Sequence, residues 1–115
     1  MKAHIIDLLG IIDSAKSLHW QTTSYSVHKA SESLYSGLNE LVDSFVETYQ
    51  GKYDRLNISG LTKIEPLDGL SLCNMLSLIA ANMELEIRKE DTDLLNIIAD
   101  IKSLSNHTKY LLTLS

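Results

Sequence analysis

His19, His28, Glu32, Asp43 and Glu47 are the residues of this chain whose types and spacing could do chemistry together. Imidazole and carboxylate are ligands that iron and other divalent transition metals accept side by side. Carboxylates also bridge ions and tolerate the step from iron(II) to iron(III). All five lie in one stretch, HWQTTSYSVHKASESLYSGLNELVDSFVE, residues 19–47. With His28 set at zero on a helix of about 100° per residue, Glu32 falls at about 40°, Asp43 at about 60° and Glu47 at about 100°. Val27, Ala30, Leu34, Leu38, Leu41 and Phe45 fall on the opposite side and form the apolar stripe. The four polar residues therefore share a stripe turned away from the subunit's own core. A metal held by that stripe lies between subunits and not inside one. His19 ends the preceding helix and can approach His28 across the turn. The plain alternative is the solvated face of an acidic protein.

The elements that must position these residues are legible as helices. Ile5, Leu8, Leu9, Ile12, Ala15, Lys16 and His19 recur at three- and four-residue steps, which predicts a helix over 3–22. Thr22, Thr23 and Ser24 break that pattern, because their hydroxyls compete for nearby backbone. A second helix is predicted over 26–50, beginning after Ser24 or Ser26, with Ser26 the favoured N-cap and Gly51 as its stop. Leu72, Leu76, Ile79, Met83 and Ile87 predict a third over 69–88, flanked by Cys73 and Met75. Asp91 as N-cap and the series Leu94, Ile98, Ile101, Leu104, Ser105, Thr108 and Leu111 predict a fourth over 91–113.

Short turns join the first two helices and the last two, so each pair is an antiparallel hairpin. Residues 51–68 hold two glycines and the only proline, and form the connection between the hairpins. An extended stretch of that length reaches roughly 59 Å, whereas a helix of about 22 residues spans roughly 33 Å. The connection can cross the whole bundle. The expected fold is all-α: a single domain, residues 1–115, built as a ferritin-like four-helix bundle with one long crossover.

Composition narrows the function classes. The 115 residues carry 10 basic and 15 acidic side chains, a formal net charge of −5, and 44% are hydrophobic. That apolar share supports a packed interior. Lys and Arg never gather beyond two neighbours, so the footprint expected for nucleic acid is missing. The lone Cys73 sits in an apolar run and suits a reduced, cytoplasmic compartment. His4 and Asp7 interrupt the first apolar run, which argues against a signal peptide, and no run is long enough to span a bilayer. His4 and His107 read as surface residues. A ferritin-type site inside the bundle needs a Glu-x-x-His motif on two helices, and neither the second nor the fourth helix has one.

The stretch resembles the first hairpin of the Dps-type miniferritins, a ferritin-like family. His19-Trp20 matches the His-Trp pair that ends the first helix of that family. His28, an acid four residues on at Glu32, and Asp43-x-x-x-Glu47 match the motif of its second helix. Two departures are plain. The interval from His19 to His28 is shorter than usual, which tightens the turn, and Glu32 stands where the family has Asp. The wording LHWQTTSYSVHKA and FVETYQGKY, with KYLLTLS at the C-terminus, also resembles small uncharacterised proteins of tailed bacteriophages.

The resemblance implies a homo-oligomer, at least a two-fold dimer, that binds iron or another divalent metal at its subunit interface. His19, His28 and Glu32 would come from one chain and Asp43 and Glu47 from its partner. If active, such a site is a ferroxidase, oxidising iron(II) with peroxide or oxygen. A reading from a different class keeps the same groove without chemistry. A phage effector would bind a host protein or sequester a small ligand there, using Trp20 and Tyr25 beside His19. The phage likeness places either protein in the cytoplasm of an infected bacterium. Tyr25, Tyr35, Tyr49 and Tyr53 are expected to pack with wet hydroxyls, and Met75, Met83 and Cys73 to fill the core.

Overall fold

The computed structural model describes every residue from Met1 to Ser115 and contains four helices and no strand. They are α1 (Lys2–Gln21), α2 (Tyr25–Lys52), α3 (Gly69–Leu85) and α4 (Thr92–Leu111). The molecule measures 43 × 27 × 19 Å. Its long axis matches α2, whose 28 residues rise about 42 Å.

The helix ends follow the chemistry of their residues, with four shifts from expectation. Helix α2 runs on through Gly51 to Lys52, because the Tyr53 amide still bonds back to the Tyr49 carbonyl. Ser24, not Ser26, is the N-cap of α2, and its Oγ accepts from the Val27 amide at 3.3 Å. The reason lies one turn earlier, where the Thr22 hydroxyl accepts from the Ser24 amide and fixes the chain just ahead of the helix. Helix α3 ends at Leu85, short of Arg88, because the Glu86 and Ile87 amides close tight turns onto the carbonyls of Met83 and Glu84. Asp91 occupies the N-cap position of α4 but makes no side-chain cap bond. Its carboxylate turns instead to the Tyr53 hydroxyl and to Lys52. Asp68 caps α3 by accepting from the Ser71 amide at 2.7 Å, which holds its carboxyl below the ordinary range.

One core runs the length of the bundle. Ile5, Leu8, Ile11, Ile12 and Ala15 of α1 meet Leu34, Leu38, Val42 and Phe45 of α2. Leu72, Leu76, Ile79 and Met83 of α3 and Leu94, Ile98 and Ile101 of α4 complete it. Val42, not Leu41, is the fully covered residue at its level of α2. Polar groups in the interior are satisfied. The buried Ser105 hydroxyl donates to the Cys73 carbonyl at 2.7 Å and lies 2.8 Å from the Ser77 hydroxyl.

Contacts at the two ends fix the topology. At one end Lys52 and Tyr53, where α2 finishes, meet Asp91 and Asp93, where α4 starts. At that same end His4 of α1 meets Glu86 beyond α3. At the other end Gly69, the start of α3, lies against Leu112 after α4, so closely that a Cβ on Gly69 would come within 2.8 Å of the leucine. Helices α1 and α4 thus run one way and α2 and α3 the other. Each of α1 and α4 packs against α2 and α3, and α1 and α4 are diagonal. Because α2 and α3 are consecutive and parallel, the chain between them must travel the full length of the bundle.

That crossover lies along α1 without a helical turn of its own. Thr62 donates to Asp13 at 3.2 Å, and the Ser14 hydroxyl accepts from the Glu65 amide at 2.8 Å. Gly10 permits the approach, since a Cβ there would stand 3.1 Å from the Lys63 carbonyl oxygen. No helix of the bundle is long and apolar enough to cross a membrane.

Candidate functional site

The turn between α1 and α2 brings His19 and His28 together. Their rings stack with centroids 3.7 Å apart and planes 17° from parallel. His19 Nδ1 lies 2.8 Å from the His28 carbonyl oxygen, and His28 Nδ1 lies 2.8 Å from the His19 carbonyl oxygen. A carbonyl oxygen only accepts, so each Nδ1 carries the hydrogen and donates. In the neutral rings both Nε2 atoms therefore keep their lone pairs. A ligating histidine in a metal site is prepared the same way, with its other ring nitrogen donating to a backbone carbonyl.

The stack also restricts what the pair can do. Each Nε2 lone pair lies in its own ring plane, and nearly parallel planes 3.7 Å apart do not converge. A metal stands about 2.1 Å from an imidazole nitrogen, in the plane of its ring. His19 and His28 as placed cannot hold one ion between them. Tyr35 and His19 meet edge to face with ring centroids 5.5 Å apart, and Lys16 stands 5.6 Å over the Tyr35 ring. His19 is therefore packed against two rings of α2. Neither contact was evident from helical spacing, because both depend on how α1 meets α2.

The acids of the stripe are placed as helical geometry requires. Glu32 is one turn from His28 on α2 and pairs with Lys29 at 3.5 Å. Asp43 and Glu47 are exposed further along the same helix. Glu47 edges a shallow hollow with Gln50, Gly51, Asp54 and Arg55. Glu32 and Asp43 are eleven residues apart, which is about 16 Å along the axis. One ion cannot reach both within a chain, and no three His, Cys, Asp or Glu side chains of the chain gather into a metal-holding group. Trp20 and Tyr25 flank the histidine pair from the ends of the two helices and are 72% and 74% exposed.

A second cluster was not foreseen. At the opposite end of the bundle Asp91, only 6% exposed, accepts from the Tyr53 hydroxyl and pairs with Lys52 at 3.3 Å. Lys52 also reaches Asp93 at 2.5 Å, and Arg88 donates to the Tyr53 hydroxyl at 2.8 Å. The Tyr53 hydrogen bond, then Lys52 and Arg88, hold the Asp91 carboxyl below its ordinary value, and Asp93 pushes the Lys52 ammonium upward. This cluster ties the end of α2 to the start of α4. Every partner in it is a neighbour within the chain, so it reads as a fastening and not a site.

Fold and hairpin together define a small four-helix bundle whose first hairpin displays a locked histidine pair. Residues 19–112 match a family described as Family of unknown function (DUF5856), and the chain belongs to that family. The matched span opens at His19, so it contains all five candidate ligands. Neither the curated proteins nor the solved structures provide a match.

Proposed function

We propose that the protein is a two-fold dimer that binds a divalent metal, iron(II) foremost, between the α2 helices of its two subunits. One observation carries the reading. His28 pairs in register with Glu47, and Glu32 with Asp43, about a single midpoint between Gly37 and Leu38. A two-fold axis crossing α2 at that level sets His28 opposite the partner's Glu47 and Glu32 opposite the partner's Asp43. The four side chains lie within about 100° of helix surface, so they face the partner together. Near the axis the same face carries Ser36 and Asn39, which are uncharged and exposed, so nothing there repels its own copy.

Each chain would supply His28 and Glu32 to one site and Asp43 and Glu47 to the other. His28 Nε2 keeps its lone pair because Nδ1 is already committed to the His19 carbonyl. Imidazole with three carboxylates suits iron(II) or manganese(II). His19 acts by holding His28, and Trp20 and Tyr25 supply the exposed aromatic surface in which interfaces are enriched. The exposure of Trp20 and Tyr25 also favours the second reading, in which this face binds a host protein or small ligand without metal.

Anaerobic titration with iron(II), followed by equilibrium dialysis, separates the two. The metal reading expects near-stoichiometric binding by the wild type. It expects a loss of at least a hundredfold in affinity for the His28→Ala, Glu32→Ala variant, since changing one partner of a metal site commonly costs about 10–100-fold. Equal binding by both proteins would leave only the second reading.

A further inference from the structure

We propose that the outward face of α3 is a docking surface for a second copy of this chain, independent of the hairpin face and of any metal. Helix α3 is apolar nearly all round, and Glu84 is its only charged residue between Gly69 and Leu85. Glu84 turns aside to Lys102 of α4. The inward arc of α3 fills the core through Leu72, Leu76, Ile79 and Met83. The outward arc is Leu70, Asn74, Leu78, Ala81, Asn82 and Leu85, and all six are exposed. A helix apolar on both faces belongs in an interior, whereas the outer face of a helix against water is usually charged. The outward face of α4, with Asp93, Asn96, Asp100 and His107, follows that ordinary pattern.

The crossover widens the apolar surface. Leu61 and Leu78 line one hollow of about 400 Å³ with Ile6, Met75 and Ile79. Leu61 is 93% exposed, Leu85 84% and Leu78 62%, and Leu70 and Ile64 are each more than half exposed. Their summed apolar area is on the order of 600 Å², at the upper end of the largest apolar patch that soluble monomers leave exposed. With the neutral side chains among them it approaches the roughly 800 Å² per partner of a standard interface.

The arrangement of the leucines points to a second copy as the occupant. Leu70 stands eight residues before Leu78 and Leu85 seven after, or about 12 Å and about 10.5 Å along the axis. An antiparallel copy about a two-fold axis at Leu78 therefore sets each Leu70 opposite the partner's Leu85, within about 1.5 Å of register. Near such an axis a residue meets its own copy, so a charge there would repel itself. None is present. Asn74 and Asn82 carry both donors and acceptors and can pair across the axis.

The test is sedimentation equilibrium of the wild type beside Leu78→Glu and Leu85→Glu, with circular dichroism confirming the fold. Both side chains are exposed, so neither variant disturbs the core. The proposal expects the mass of each variant to be no more than half that of the wild type. That ratio holds whether or not the hairpin face also assembles. Masses equal to the wild type overturn it. A wild type that is itself monomeric overturns it too, and leaves the face to a different partner.

Discussion

His19 and His28 each donate Nδ1–H to the other's main-chain carbonyl across the α1–α2 turn, and the two rings stack at 3.7 Å. The exchange makes the turn and the site one object. The bonds that join the helices also decide which nitrogen of each imidazole is left free.

The exchange has a spectroscopic consequence. Long-range proton–nitrogen correlation at a pH where both rings are neutral should find Nδ1 protonated and Nε2 unprotonated in His19 and His28 alike. His19→Ala removes the ring behind His28 and one of the two bonds, while His28 keeps its own bond to the residue 19 carbonyl. The variant should weaken metal binding by about tenfold, as loss of a supporting partner commonly does, without removing a ligand. Unchanged affinity would separate His19 from the site.

The Asp91 cluster sets an acid limit on stability. The carboxyl of Asp91 lies below its ordinary 3.8 because the Tyr53 hydroxyl, Lys52 and Arg88 favour the charged form. Its contribution is complete above that ordinary value and is lost as pH falls through the lower, folded value. Asp93 behaves alike through Lys52. The Lys52 ammonium is raised above 10.5, so its share is lost only as pH climbs past that raised value. Asp91→Asn should therefore lower the melting temperature by a few degrees near neutrality. The difference from the wild type should shrink as pH drops well below 3.8. A difference that stays constant with pH would mean that the charge of Asp91 contributes nothing.

Much of this fold could be read from the chain because its signals are local. The apolar steps from Ile5 to Ala15 and from Ala30 to Phe45 give two helices their faces, and α3 starts at the expected Gly69. Length showed only that the connection could cross the bundle, with an up-down arrangement still open, and the contacts at the two ends decide that it does cross. Where two residues competed, sequence was insufficient. Ser24 and Ser26 are both good caps, and the Thr22 hydroxyl decides between them. Asp91 is a good cap that a tyrosine 38 positions earlier draws away, and no local pattern reports so distant a partner. The outward leucines of α3 were obscured because both its faces are apolar, so periodicity could not say which one stays uncovered. The stripe on α2 was legible as a stripe. The stacking of His19 on His28 was not, since it depends on how the two helices close.

The central claim is that each metal site takes His28 and Glu32 from one chain and Asp43 and Glu47 from the other. It is tested most directly by complementation. The His28→Ala, Glu32→Ala chain and the Asp43→Ala, Glu47→Ala chain are made with different tags, purified alone, and purified as the mixed dimer after co-expression. Each variant alone should fail to bind iron(II) at wild-type affinity. The mixed dimer pairs the intact half of one chain with the intact half of the other, and should recover one site of the two at that affinity. A mixed dimer as empty as its parents, or a parent that binds as the wild type does, would contradict the account.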